Sequence, residues 1–307
     1  MNKRRRWTKR IKNWLIYVAA KGLMRLLNAV RRTTAFTLLK SIGVLAYYLL
    51  PGERQKTKNH LRRVYPEKSN RAISEMAKKV FVNLMSNMVD AFRVAQFTNK
   101  NIDDYVTVSN LQKLDIALAR GKGVLAITGH IGNWELLGAY LAIKGYPLYV
   151  IGATLYDRRI DEMLVKNREN SGIKYIPRGD STRLILKALK DKAMIGILID
   201  QDSRHVAGEF IDFLGQEAYT PVGPAVLARK TGASIIPVAI HMKADYSHVI
   251  EFGDILNLDN SGDVQADRIA NTLKCSKEIE KFILKYPTQW VWMHRRWKTR
   301  RQKIAKT

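Results

Sequence analysis

Residues 123–135 read GVLAITGHIGNWE, and this stretch decides the fold class. Gly123 to Thr128 is an apolar run of strand length and reads as a short buried strand. Gly129 permits a sharp turn. Asn133 is a candidate N-cap, and Glu135 then falls in the first helical turn, where a carboxylate suits the positive helix end. His130 occupies the turn. Residues five apart do not face each other within one helix. With His130 in the turn and Glu135 on the helix, the two can meet. The carboxylate would hold the imidazole in one tautomer, leaving the other nitrogen free to take a proton from a hydroxyl. A buried structural histidine beside an unrelated acid is the alternative that spacing leaves open.

The same alternation continues outward. Candidate strands lie at 123–128, 147–152, 173–176, 194–199, 234–240 and 247–252. Candidate helices lie at 134–144, 157–170, 180–190, 221–231 and 265–285. Alternating strands and helices predict an α/β fold with a mostly parallel or mixed central sheet flanked by helices. In such sheets active groups sit at the carboxyl ends of strands, which is where His130 falls. Thr220 and Pro221 read as N-cap and first residue of the helix at 221–231. Pro237 places its strand at a sheet edge or at a strand entry. From about Asn70 to Gln96, Ile73, Met76, Ala77, Val80, Phe81, Leu84 and Met88 repeat at helical spacing and read as core.

Other candidate chemistry lies further along. Ile199-Asp200-Gln201-Asp202 ends a buried strand. It reads either as a metal-binding DxD of a glycosyltransferase or as a wall of the site that positions basic groups. Arg168 and Arg178 flank the strand at 173–176, and arginine binds phosphate in bidentate fashion. Asp180 or Ser181 is a candidate cap for the following helix. Cys275 is the single cysteine in 307 residues, so there is no disulfide framework, and it reads as inert. Residues 289–300, QWVWMHRRWKTR, mix tryptophan with strong bases. That mixture suits a membrane-interface belt or stacking on nucleic-acid bases.

The charge is extreme. Lys+Arg number 53 against 27 Asp+Glu, a net of +26. Fourteen of these charges sit in acid-free clusters at the two ends, Lys3 to Lys12 and Arg295 to Lys306. Such a balance predicts an anionic partner, nucleic acid or a membrane face. The N-terminus favours the membrane. Trp14 to Leu27 carries an apolar face with Lys21 and Arg25 opposite, the pattern of an interfacial helix. Residues 34–50 form a second apolar run, slightly short of the roughly 20 residues a span requires and interrupted by Lys40. The run lacks a small-residue cleavage site, and its basic flank predicts a cytoplasmic N-terminus. Residues 1–58 are therefore read as a membrane-associated helical segment and 59–307 as the catalytic domain.

Together these pieces resemble the late (lauroyl/myristoyl) acyltransferases of lipid A biosynthesis, within the lysophospholipid acyltransferase superfamily. The resemblance rests on the His130…Glu135 box, the Asp200-Gln201-Asp202 strand end, the helix from Ala225 to Ala233 and the close from Trp292 to Arg300. It implies an enzyme of the bacterial inner membrane, with its active site facing the cytoplasm. The enzyme would move a fatty acyl chain from acyl-carrier protein to a hydroxyl of an anionic, phosphorylated glycolipid of the Kdo2-lipid IVA type. The resemblance implies His130 as general base and Glu135 as the group that orients it. Arg168 and Arg178 would bind anionic substrate, Asp200 would be a supporting acid, and Asn133 would mark helix amides that stabilise an oxyanion. It implies no cofactor, no metal and no nucleic-acid partner. Another glycolipid or a lysophospholipid as acceptor, or a metal-dependent glycosyltransferase built on Asp200 and Asp202, are the alternatives.

Overall fold

Strand β2 (Val124–Thr128) is buried at every position and lies between β5 (Met194–Leu198) and β8 (Ser234–Met242), parallel to both. The computed structural model describes residues 3–152, 157–177, 181–204 and 206–301. Around β2 the sheet has seven strands, adding β1 (Val106–Ser109), β3 (Leu148–Gly152), β4 (Lys174–Pro177) and β9 (His248–Phe252). Their order is β1-β9-β8-β2-β5-β3-β4, parallel throughout except where β8 meets β9. The anticipated mixed, mostly parallel sheet flanked by helices is what forms.

Both faces of β2 are covered, which is why it reads as unbroken hydrophobicity. Leu125 and Ile127 point to one core with Ile279 and Ile283 of α10 (Val264–Lys285) and Leu189 of α8 (Ser181–Lys190). Val124 and Ala126 point to the other core, with Leu136 and Tyr140 of α6 (Trp134–Ile143) and Leu114 of α5 (Leu111–Ala119). Helix α7 (Arg158–Glu169) links β3 to β4, and α9 (Gly223–Thr231) leads into β8.

Two local expectations are corrected. Residues 208–221 form an antiparallel hairpin, β6 (Gly208–Phe213) and β7 (Gln216–Pro221), and do not enter a helix. Pro221 ends β7, and α9 starts at Gly223 with Pro224 in its first turn. The hairpin turn is Leu214-Gly215, both at positive φ (53° and 77°), the backbone of a two-residue type I′ turn without its usual Asn-Gly signature. Pro237 lies in β8, which is interior to the sheet. It ends the β2–β8 ladder, and the β8–β9 ladder begins one residue later.

Four helices precede the sheet: α1 (Lys3–Ala29), α2 (Arg32–Leu49), α3 (Pro51–Val64) and α4 (Asn70–Phe92). Among the described residues no single helix is long and apolar enough to cross a membrane, and α2 and α3 meet at a 90° bend. Helix α2 packs along α4. At Gly43 a Cβ would lie 2.8 Å from Val82 Cα, so only glycine permits the crossing. Buried Asp90 of α4 ties the layers together. It accepts two bonds from Arg32 (2.9 and 2.6 Å) and pairs with His248 Nε2 of β9 (2.9 Å). The boundary placed at residue 58 falls within α3.

Candidate functional site

His130 and Asp200 leave the carboxyl ends of adjacent parallel strands. The β2–β5 ladder runs one bond further, Ile199 N to Thr128 O at 3.1 Å, so the two chains turn out of the sheet side by side. Asp200 then takes the His130 backbone N–H on Oδ2 (2.8 Å) and faces His130 Nδ1 with Oδ1 (2.8 Å). The Trp290 indole N–H donates to Oδ2 as well (2.7 Å). Asp200 is 1 % exposed and the His130 side chain 22 %. Burial alone would raise the Asp200 pKa. The His130 charge, with hydrogen bonds from the His130 ring, Trp290 and the His130 backbone, outweighs burial and lowers it to about 2. An ionised Asp200 only accepts, so Nδ1 carries a hydrogen, and in the neutral imidazole Nε2 is the nitrogen with the lone pair. Gln201 Nε2 lies 3.2 Å from that nitrogen, and the Trp134 ring meets the imidazole edge-on at 4.9 Å.

The loop bearing His130 is clamped by the C-terminal segment. Ile131 and Trp290 form an antiparallel bridge, Gly132 N donates to Gln289 O (2.9 Å), and Val291 N donates to His130 O (3.2 Å). Gly132 has φ +57°, and a Cβ there would lie 2.1 Å from Ile240 O, so no other residue fits.

Glu135 has a different partner from the one its spacing suggests. Both its oxygens bind Arg168 of α7, from Nε (2.8 Å) and Nη2 (2.6 Å). The anticipated His130–Glu135 contact is thus replaced by His130–Asp200 and Glu135–Arg168, because β5 sets Asp200 beside the ring while α7 brings a guanidinium to Glu135. Asn133 caps α6 as its position suggests, accepting from Leu136 N (3.1 Å) and donating to Asn87 O (2.9 Å). Its side chain is buried and committed to those two bonds. Arg178 and Asp180 lie outside the described residues.

The two acids of the DxD diverge. Asp200 serves His130, while Asp202 binds Thr299 through its N–H and Oγ1, both at 2.7 Å. Among the described residues no group of three or more His, Cys, Asp and Glu is placed to hold a metal ion. Trp290 and Trp292 do not form a surface belt. Both are buried, and the His60 ring N–H donates to Trp292 O (2.8 Å). Arg296 is buried too, over the Phe213 ring (4.2 Å), donating to Tyr219 O and Thr220 Oγ1; burial lowers its pKa to about 10. His294 is held neutral, its pKa lowered to about 4 chiefly by burial. Cys275 is buried and its thiol is pushed up to about 12, as an inert thiol should be.

A small apolar pocket, partly open to solvent, lies on the α6 face of the sheet. Thr128, Leu198 and Trp134 line it at the His130 end. Gly138 and Gly196 flank its middle, and Leu141 and Leu148 lie nearest the far ends of their strand and helix. Trp290 and Gln201 are the site residues that spacing missed. Gln201 sat between two singled-out acids, and Trp290 looked like part of a surface belt.

A family model described as bacterial lipid A biosynthesis acyltransferase matches residues 1–299. The chain is 26 % identical over 212 residues to a phosphatidylinositol mannoside acyltransferase of Mycolicibacterium smegmatis, covering 68 % of this chain and 67 % of that protein. It is 26 % identical to the lipid A biosynthesis palmitoleoyltransferase of Escherichia coli, covering 84 % and 83 % of the two chains. To the lipid A biosynthesis lauroyltransferase of the same organism it is 24 % identical, covering 94 % and 92 %.

Proposed function

The chain belongs to the bacterial lipid A biosynthesis acyltransferase family, and on that premise we propose that it transfers a fatty acyl chain from acyl-carrier protein to a hydroxyl of an anionic glycolipid of the Kdo2-lipid IVA type. The observation that carries the mechanism is the His130 imidazole, held through Nδ1 by buried, ionised Asp200, with the pocket-lining Trp134 ring against it. Nε2 takes the proton of the acceptor hydroxyl as its oxygen attacks the thioester carbonyl. The tetrahedral intermediate collapses, the C–S bond breaks, and the imidazolium returns the proton to the thiolate. A thioester is activated enough for one assisted hydroxyl to attack it directly. Amides at the α6 N-terminus, which Asn133 caps, supply positive potential for the oxyanion.

The acyl chain would lie along this apolar strip, its reactive end at Thr128 and its tail toward Leu141 and Leu148, with the gap between α6 and the sheet widening to admit it. The Glu135–Arg168 pair fixes α6 against α7 beside the base and contributes to binding the anionic acceptor, together with Arg178. The enzyme works at the cytoplasmic face of the inner membrane. Supporting this, Ile11, Trp14, Leu15 and Val18 of α1 are spaced i, i+3, i+4, i+7 and remain 44 to 55 % exposed. The phosphatidylinositol mannoside relative favours a second acceptor class, a mannosylated phosphatidylinositol. Detergent-solubilised protein given acyl-carrier-protein thioester and each acceptor in turn, with product masses measured, separates the two. Near-normal turnover by His130→Ala would sink the mechanism.

A further inference from the structure

His130 Nε2 must receive the acceptor's proton, yet the Gln201 side chain already points at it, Nε2 to Nε2 at 3.2 Å. The direction of that bond follows from the other side of the ring. Asp200 fixes the hydrogen on Nδ1, so the Gln201 amide donates and the imidazole lone pair accepts. Gln201 thus stands where an acceptor hydroxyl has to stand. Its backbone is fixed on both sides, Asp200 by His130 and Trp290 and Asp202 by Thr299. Among the described residues the Gln201 side chain has no hydrogen-bond partner besides His130, and it is only half-buried, so a docked acceptor has one bond to displace.

A base beside a thioester activates water as readily as an alcohol, and water is the more abundant nucleophile. Hydrolysis would follow the same course: water oxygen attacks the carbonyl carbon, His130 takes its proton, the C–S bond breaks, and the thiolate is protonated. We propose that Gln201 is a stopper on the base, keeping water from His130 Nε2 while a thioester is bound and yielding that nitrogen to a docked acceptor hydroxyl. A hydroxyl held by the rest of a large acceptor arrives at high effective concentration and displaces the amide. A lone water has no such advantage. One neutral hydrogen bond favours the closed site by about fivefold to tenfold. This inference rests on the acyl-transfer reading for its purpose, but the Gln201–His130 contact is testable without it.

The test uses the full chain in detergent with Gln201→Met, of similar length without the donor, and Gln201→Glu, which reverses the polarity. Diethyl pyrocarbonate carbethoxylates an unprotonated, unblocked imidazole nitrogen, and peptide mass spectrometry reads the rate at His130. Gln201→Met should react about five to ten times faster than the parent. Gln201→Glu should react more slowly, because a carboxylate facing Nε2 keeps it protonated. His60, buried and bonded through Nδ1 to Trp292 O, serves as the unchanged control. With an acyl thioester, the ratio of hydrolysis to transfer should rise by the same factor in Gln201→Met. Equal reactivity at His130 in all three proteins overturns the proposal, as does faster reaction without increased hydrolysis. A parent enzyme that transfers no acyl group to either acceptor counts against the substrates proposed above, while the carbethoxylation rates still decide the contact.

Discussion

Three donors converge on the two oxygens of Asp200, and each one comes from a different part of the chain's logic. The backbone N–H sets the loop, the ring N–H sets the tautomer, and the indole N–H sets the carboxylate. Replacing Asp200 by Asn keeps the shape but turns the imidazole toward the wrong tautomer. Turnover should fall about 10³–10⁴-fold in a steady-state thioester assay. Trp290→Phe removes one hydrogen bond to an ionised group, so an effect of about tenfold on turnover is expected, with the fold retained by circular dichroism. Glu135→Gln and Arg168→Gln should each lower activity, and the double variant should be little worse than either, because both break one pair. Independent, multiplying losses in that cycle would show that the two residues act separately. The place of His130, in the turn between β2 and α6, was legible because a strand, a glycine turn and a helix locate it from local pattern alone. Its carboxylate partner was not. Spacing compares residues along the chain, whereas Asp200 lies 70 positions away and reaches the ring only because β5 is the spatial neighbour of β2.

Among the elements, the pocket between β2, β5, β3 and α6 invites the clearest change. A Cβ at Gly196 meets Val150 and Leu148 at no less than 3.4 Å, ordinary contact distance. Gly196→Ala should therefore fold and shift preference toward slightly shorter acyl donors, read by competition between thioesters of different length. An unchanged preference would place the chain elsewhere. Gly43 behaves oppositely. Gly43→Val forces α2 off α4 and should cost about 1–3 kcal/mol in denaturant unfolding. Buried parallel strands announced themselves in sequence because both faces want apolar residues. The β6–β7 hairpin did not, since Leu214 adopts a backbone that its side chain does not advertise. Strand β1 and helix α5 were also missed. Four residues at a sheet edge, only partly buried, leave too short an alternation to read.

For the molecule as a whole, acid is the revealing stress. His294 has a folded pKa near 4 against an ordinary 6.5, so the unfolded chain takes up that proton first. Stability should fall as pH drops from 6.5 toward 4, with His60 and His241 pulling in the same direction because burial lowers them too. Asp200 adds a second loss, from an ordinary 3.8 down to about 2, as its stabilising ionised form is titrated. Melting temperatures across that range should decline in two stages, and His294→Gln should flatten the first. The surplus of positive charge and the exposed stripe of α1 predict flotation with vesicles containing anionic lipid, weakened by Leu15→Asp and by salt. The clamp between Ile131 and Trp290 has a temporal consequence. During synthesis at roughly 5–20 residues per second, the segment that secures the His130 loop emerges on the order of ten to thirty seconds after the loop itself. The ribosome thus delivers α1, with its exposed apolar stripe, well before the latch, so on the proposed reading a nascent chain meets the membrane before its base is secured.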